Sequence, residues 1–141
     1  MQIHASCAAR NGAAVLLLGP PGAGKSDLLL RLIDRGFVLV ADDRVEIAHG
    51  VASPPPALAG LLELRGLGLL RLPHLEAAVL ALAIQLEPMP TTRLPSPERH
   101  PLFDLPLIRL DPAAASAAQR VEAALDLATG RTTQSCGAFA A

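Results

Sequence analysis

The chain opens with two apolar-rich runs, residues 2–10 and 13–18, which are joined by Asn11-Gly12. This dipeptide favours the two-residue type I′ turn of a β-hairpin. A two-residue loop also fixes the register, so that Arg10 faces Ala13 and His4 is expected opposite Gly19. The pattern therefore predicts a hairpin that brings His4 to the far end of its second strand.

Leucines then recur at helical spacing over residues 26–35, and Gly36 is a suitable residue to end that helix. Residues 37–41 form a continuous apolar run typical of a buried strand, and residues 45–48 suit a second short strand. The acid pair Asp42-Asp43 lies between these two runs. Because the acid pair ends the buried run, we expect it at the carboxyl edge of a parallel sheet. This is the edge at which α/β folds place ligands.

The second half of the chain gives weaker signals. Residues 57–64 suit a short helix or an irregular segment, residues 78–86 a strand, and residues 87–101 a long Pro-rich loop. Pro106 places the strand of residues 105–110 at a sheet edge, and Asp111-Pro112 starts a helix over residues 113–128. We predict an α/β fold in which helices flank a sheet, as one domain of residues 1–141 with a flexible tail from residue 131.

Composition narrows the classes of function. Hydrophobic residues make up 51% of the chain and aromatic residues 2%, so the core must be aliphatic. A formal net charge of -1 gives no basic surface for nucleic acid or for an anionic membrane. Apolar runs are too short to cross a bilayer and no signal peptide is recognised, which predicts a cytoplasmic protein. The two cysteines, Cys7 and Cys136, are too far apart to indicate a zinc site or a disulfide framework.

Residues 19–26 form a motif with a specific chemistry. The motif follows an apolar strand and opens an amphipathic helix, as a phosphate-binding P-loop does. Its backbone N–H groups would hold the phosphates of ATP, Lys25 would add a charge at the β- and γ-phosphates, and the Ser26 hydroxyl would bind Mg²⁺. Of the 12 basic residues 11 are arginine, and the one lysine of the chain lies in this motif. The motif reads Gly19-Pro20-Pro21-Gly22-Ala23-Gly24-Lys25-Ser26.

Other residues suit the same chemistry, each with a simpler alternative. Within the acid pair, one carboxylate could hold Mg²⁺ through water while the other accepts a proton from an attacking hydroxyl; a solvated turn would contain the same residues. Glu63 is a carboxylate among leucines, and on the residues alone it could simply form an ion pair with Arg65. Arg93, in the long loop, could close on a transferring phosphoryl group or be an inert surface residue.

Four stretches of the sequence occur in a specific order: His4, the P-loop, the run from Arg35-Gly36 through Leu39-Val40-Ala41-Asp42-Asp43-Arg44-Val45, and Leu61-Leu62-Glu63-Leu64-Arg65-Gly66-Leu67-Gly68. Together they resemble the HPr kinase/phosphorylase family. The resemblance covers residues 2–72 best. It implies a catalytic domain of the phosphoenolpyruvate carboxykinase-like type, in the short form that lacks the family's N-terminal domain. It also implies an ATP-dependent kinase that phosphorylates a serine of the phosphocarrier protein HPr and so regulates the phosphotransferase system and carbon metabolism.

The resemblance also assigns roles. Asp43 would accept the serine proton in phosphorylation and donate it in the reverse phosphorolysis, with His4, Lys25 and Arg93 completing the active site. Ser26 and Glu63 would be Mg²⁺ ligands, and Asp42 would join the P-loop in binding the nucleotide. A homo-hexamer is implied as well. The family uses a Gly-rich basic segment in its reverse reaction. In this chain that segment is replaced by Leu110-Asp111-Pro112-Ala113-Ala114, so the resemblance supports phosphorylation better than phosphorolysis.

Two other functions fit the same P-loop. One is a kinase that acts on a small metabolite, and the other is a nucleotide-binding sensor without catalytic activity. A GTPase is excluded, because the base-reading Asn-Lys-x-Asp segment needs a lysine and the one lysine is already in the P-loop.

Overall fold

A computed structural model describes residues 1–88 and 92–140. In this part of the chain eight strands form one sheet, two form a separate hairpin, and two α-helices complete the mixed α/β fold that the sequence predicts. Neither helix is long and apolar enough to cross a membrane. The elements are β1 (Gln2–His4), β2 (Ser6–Arg10), β3 (Ala13–Leu18), α1 (Lys25–Asp34), β4 (Val38–Ala41), β5 (Arg44–Ala48), β6 (Val51–Ser53), a 3-10 turn (Pro56–Leu58), β7 (Leu61–Leu64), β8 (Gly68–Arg71), β9 (Ala78–Leu86), β10 (Leu107–Leu110) and α2 (Ala117–Ala128).

The large sheet has the strand order β1-β5-β6-β9-β3-β2-β4, with β10 paired to β9. Strands β3, β9 and β10 are parallel, whereas β2 runs antiparallel between β3 and β4. The prediction that β4 lies in a parallel sheet is therefore wrong, because β4 pairs antiparallel with β2. Because β3 and β4 are both antiparallel to β2, they still run in the same direction. Their carboxyl ends, which lead into the P-loop and the acid pair, lie at the same edge.

The predicted hairpin register is confirmed from Ser6 onward, with Ser6 opposite Leu17 and Arg10 opposite Ala13. Its turn residues Asn11 and Gly12 have φ values of 53° and 79°, as a type I′ turn requires.

The register predicted for His4 is wrong, because β1 leaves the hairpin and pairs with β5, which sets His4 opposite Arg44 and not opposite Gly19. Strand β3 ends at Leu18 where the P-loop begins, so it offers no ladder to residues 2–4. Instead, β1 extends the register in which Cys7 of β2 faces Ala41 of β4. The segment β1–β2 therefore passes from one end of the sheet to the other through Ala5. The segment β4–β5 does the same through the acid pair.

This crossing folds the sheet over itself and creates two aliphatic cores. Alternate side chains of β2 and β3 point to opposite faces, so Val15 packs toward the helices and Leu16 toward the folded interior. Each fully buried leucine contributes about 1.5–3 kcal/mol relative to an exposed one, which lets a chain nearly without aromatic residues form a stable core. Phe139, in the predicted flexible tail, packs partly buried against the core beside the helices.

Two elements of the second half differ from expectation. Of the segment predicted as a short helix or irregular, residues 57–64, the first part lies in the 3-10 turn Pro56–Leu58, whereas Leu61–Leu64 form β7, which pairs with β8 in a hairpin. The tip of this hairpin is Gly66, whose φ is 82°. Helix α2 begins at Ala117, four residues later than predicted, because Asp111 Oδ1 accepts a bond from the Ala113 amide at 2.9 Å and stabilises a turn there. The strand of residues 78–86 is confirmed. Among the described strands β10 pairs only with β9, at the sheet edge that Pro106 predicts.

An ion-pair network fastens the first hairpin to α2. Arg10 Nη2 donates to Asp126 Oδ1 at 2.8 Å, and its Nη1 lies 3.4 Å from Glu122 Oε2. Arg35, at the end of α1, also donates to Glu122. The Arg10 guanidinium lies 5.1 Å from the centre of the Phe37 ring. The network therefore connects three segments that are far apart in the sequence.

Replacing Glu122 with glutamine should lower the thermal unfolding midpoint at neutral pH by about 2–4 °C. The hydrogen bond from Arg35, with the nearby charges of Arg35 and Arg10, holds the pKa of the Glu122 carboxyl below its usual value of 4.5. A carboxyl with a depressed folded-state pKa contributes stability above its unfolded pKa and loses it as the pH falls through the folded value. The gap between variant and wild type, followed by circular dichroism, should therefore narrow below pH 4.5. A gap that stays constant in acid would mean that the charge of Glu122 contributes nothing.

Candidate active site

The P-loop connects β3 to α1, in the strand–loop–helix context that the sequence predicts. Close packing at two points explains its glycines. A Cβ at Gly19 would lie 2.9 Å from Ala23 Cβ and 3.5 Å from Leu86 Cβ, so a side chain does not fit. Gly24, the residue before α1, has a φ of 99° and lies against Pro112. The loop is thus held between the end of β9 and the segment that follows β10.

Lys25 lies at the start of α1 and is half-buried. Its Nζ donates to the carbonyl oxygens of Gly19 at 2.6 Å and of Pro20 at 3.0 Å. An ammonium group has three donors, so one remains for an anion in the loop. The N-terminus of α1 adds the positive end of the helix dipole at the same place.

Asp42 is a nearly buried carboxylate, 7% exposed, that accepts hydrogen bonds from two serines. Ser26 Oγ lies 2.9 Å from Oδ1 and 3.0 Å from Oδ2. Ser6 Oγ, on β2, lies 2.7 Å from Oδ1. Ser26, which follows the P-loop lysine, is therefore hydrogen-bonded directly to Asp42, the first residue of the acid pair.

Asp43 differs from Asp42 in exposure and in backbone conformation. It is exposed, and its φ of 68° is left-handed, a region that few residues other than glycine adopt and that Asp tolerates better than most. Its carbonyl oxygen accepts a bond from the Ala5 amide at 3.2 Å, which ties the acid pair to the corner between β1 and β2. Strained positions of this kind often occur at functional sites, where the surrounding structure holds them in place.

These groups face a cleft of about 800 Å³ between the P-loop, the acid pair and the β7–β8 hairpin. Glu63, on β7, is exposed to this cleft, as are Leu67 and Leu69 near the hairpin tip. The cleft therefore has a polar floor and an apolar rim. The predicted site residues that line it are Pro21, Gly22, Gly24, Lys25, Ser26, Asp42, Asp43 and Glu63.

Five predicted site residues are not among those that line the cleft: Gly19, Pro20 and Ala23 of the P-loop, His4 and Arg93. His4 is exposed at the end of β1, one register position from the acid pair. Arg93 is exposed in the loop between β9 and β10, which Arg109 of β10 holds by contacts to Glu87 at 3.2 Å and Glu98 at 2.7 Å. The predicted loop of residues 87–101 includes residues 89–91, which lie outside the described residues. Catalytic roles for His4 and Arg93 stay predictions.

Ser6 and the rim leucines were not predicted. Ser6 is the one polar side chain among the buried residues of β2, and that break in an apolar strand is a signal that the sequence contains. The leucines gave no such signal, because their exposure depends on a hairpin that the pattern did not predict.

Oxygen ligands suited to Mg²⁺ are grouped in this cleft. The Ser26 hydroxyl and the Asp42 carboxylate are in contact, and Glu63 lines the same cavity. Among the described residues no cluster of three or more His, Cys, Asp or Glu side chains could hold a metal alone. Mg²⁺ is usually bound by one or two carboxylates together with phosphate oxygens and waters, so these residues fit that ion.

Comparison with known proteins gives a consistent family match. A family model for the HPr Serine kinase C-terminal domain matches residues 1–84. The HPr kinase/phosphorylase of Lacticaseibacillus casei (strain BL23) is 38% identical over 116 residues, 70% of this chain and 36% of that protein. The one of Bordetella petrii is 55% identical over 64 residues, 42% of this chain and 21% of that protein. The chain thus spans about a third of the length of the first of these relatives.

A solved structure supports the fold. The Hpr(Ser) kinase/phosphatase from Coxiella burnetii superposes with a TM-score of 0.81 over 93% of this chain and 92% of its own, at 22% identity.

Proposed function

This chain belongs to the family of HPr serine kinase C-terminal domains, and from that premise we propose that it transfers the γ-phosphoryl group of ATP to a serine hydroxyl of an HPr-type phosphocarrier protein. The observation that carries the proposal is the grouping of Lys25, Ser26, Asp42 and Asp43 in one cleft. In this role the enzyme would regulate the phosphotransferase system and carbon metabolism.

The transfer needs little covalent chemistry from the protein. The serine oxygen forms a bond to the γ-phosphorus while the bond between that phosphorus and the bridging oxygen of ADP breaks. Asp43 takes the serine proton, since its carboxylate is exposed in the cleft and has the freedom to meet an incoming hydroxyl. Lys25 and the P-loop amides neutralise the charge on the transferred group.

Ser26 and Glu63 would hold Mg²⁺, with Asp42 oriented behind Ser26. When bound, the ion supplies positive charge at the β- and γ-phosphate oxygens. Asp42 binds the Ser26 hydroxyl as an acceptor, so the lone pairs of that hydroxyl are free to face the ion.

The apolar rim favours a protein substrate over a small metabolite. Leu67 and Leu69 are 73% and 65% exposed beside a polar phosphate site. A polar metabolite gains little from such side chains, whereas protein surfaces in contact commonly bury leucines of this kind.

Replacing both Leu67 and Leu69 with serine should raise the KM for the phosphocarrier at least tenfold, because two apolar contacts of about 1–3 kcal/mol each are lost. ATP binding should stay unchanged. The matched control is the double replacement of Leu94 and Leu102, which are 63% and 61% exposed and do not line the cleft. Steady-state kinetics with varied acceptor would measure both. Equal KM values for the two double variants would argue against a protein docked on the rim.

The proposed function is tested by mixing the purified protein, Mg²⁺ and γ-labelled ATP with the phosphocarrier of the same organism. Acid-stable label on serine of the carrier is the expected result. If ATP binds and no label moves to the carrier, the alternatives are a kinase for a small metabolite, which would label a small-molecule acceptor, or an idle nucleotide sensor, which would label none.

The proposal extends to features for which the family is the main support. We propose that the protein works as a homo-oligomer, a hexamer by analogy, in the cytoplasm, where ATP is available. Residues 110–114 take the place of the family's basic segment beside the P-loop, where Pro112 packs on Gly24, so we expect little reverse phosphorolysis. Incubating the phosphorylated carrier with inorganic phosphate would test it.

A further inference from the structure

Ser6 is a fully buried hydroxyl in a strand of otherwise apolar buried residues. Burying a hydroxyl is costly unless it forms a hydrogen bond. Ser6 forms one, to Asp42 Oδ1 at 2.7 Å, the shortest contact that this carboxylate makes with either of its two serine partners. An alanine would fill the strand position without that cost, so the hydroxyl is explained by what it does to Asp42.

The backbone brings the two residues together. Strands β1 and β2 run beside β4 and β5 in one register, in which Cys7 faces Ala41 and His4 faces Arg44. Ser6 therefore lies across from Asp42, and the Ala5–Asp43 backbone bond lies at the adjoining step. The contact is a cross-strand pair built into the corner of the sheet.

The two serines act on the carboxylate in different ways. Ser26 has one proton to share between Oδ1 and Oδ2, at 2.9 and 3.0 Å, whereas Ser6 contacts Oδ1 alone. Ser6 thus fixes which oxygen is turned into the sheet. Rotation of the carboxylate would break the bond from Ser6 to Oδ1, and the orientation of the carboxylate in turn sets the direction in which Ser26 presents its lone pairs.

We propose that Ser6 is a positioning residue for the divalent cation, acting through Asp42 on Ser26. The inference rests on the proposed function only in taking Ser26 as a cation ligand. Groups that orient a metal ligand in this manner typically change metal affinity by 10–100-fold when they are removed.

The test measures nucleotide binding as a function of Mg²⁺ concentration, using a fluorescent ATP analogue and no acceptor protein. Ser6→Ala should raise the Mg²⁺ concentration at half-saturation by about tenfold and leave binding without Mg²⁺ unchanged. Ser6→Thr keeps the hydroxyl and should restore a midpoint close to that of the wild type. Ser53→Ala, on β6 outside the cleft, is the matched control and should behave as the wild type.

The possible results separate the two claims. If Ser6→Ala keeps the wild-type Mg²⁺ midpoint while Ser26→Ala raises it, the positioning role is wrong and the proposed function stands. If the wild type shows no Mg²⁺-dependent nucleotide binding, both fail. Should Ser6→Ala not fold, Ser6→Cys replaces it, because cysteine has the same side-chain shape and its thiol is only a weak donor. Its midpoint is expected to rise as well, and an unchanged midpoint would again overturn the positioning role.

Discussion

Replacing Asp43 with asparagine should reduce phosphoryl transfer to the carrier by about 10²–10⁴-fold while ATP binding with Mg²⁺ persists. An amide has the size of the carboxyl group and cannot accept the serine proton as a base. Asparagine also tolerates the left-handed φ of 68° at this position, so the backbone should keep its shape. Transfer rates and equilibrium nucleotide binding, measured on the same preparation, would separate the two effects.

The chain offers a matched control for this variant. Asp104 has a similar left-handed φ of 50° and is exposed outside the cleft, where it pairs with Arg99. Asp104→Asn should therefore leave transfer intact. Asp42→Asn, in contrast, should weaken Mg²⁺-dependent nucleotide binding, because the amide no longer accepts both serine hydroxyls in the same way. Full transfer by Asp43→Asn would rule out Asp43 as the base.

Replacing Lys25 with methionine should reduce transfer by about 10³-fold, since one positive charge at the transferred group is lost. Methionine retains the unbranched apolar stem, so helix α1 and its packing should survive. Nucleotide affinity should fall as well, because Lys25 contacts the ground-state phosphates and not the transition state alone. Lys25→Arg should not restore activity, because a planar guanidinium does not match the compact geometry that brings Nζ to Gly19 and Pro20.

A chemical experiment uses the same residue without substitution. Lys25 is the one lysine in the chain, so an amine-reactive reagent can modify only its side chain and the terminal amine. ATP with Mg²⁺ should protect Lys25 from modification, as measured by peptide mass spectrometry, and Arg71→Met, a charge change on β8 outside the cleft, should not alter that protection. Equal modification with and without saturating ATP would place the nucleotide elsewhere.

Local signals made part of this fold and site predictable. Asn11-Gly12 determined the hairpin turn, the P-loop motif specified a strand before it and a helix after it, and the apolar run before the acid pair gave the correct sheet edge. Each of these features depends on residues within a few positions of one another. Their energetics are decided by turn geometry and by burial along a single strand.

The parts that failed depend on distant partners. The pairing of His4 with Arg44 could not be read from residues 2–18, because it requires that β3 ends while β5 remains available. The β7–β8 hairpin escaped because leucines occur on both of its faces, so that neither a period of 2 nor one of 3.6 stood out. The bond from Ser6 to Asp42 joins residues 36 positions apart and follows from that same long-range pairing.

The corner at Ala5 makes the length of the first strand segment a condition for activity. A single residue inserted between Ser6 and Cys7 would move Ser6, Ala5 and β1 by one position along their partner strands and turn the side chains of β1 to the opposite face. Ser6 would lose Asp42, and the Ala5 amide would lose Asp43. In this protein, substitutions along residues 2–10 other than at His4 and Ser6 should be tolerated far better than a change in the number of residues.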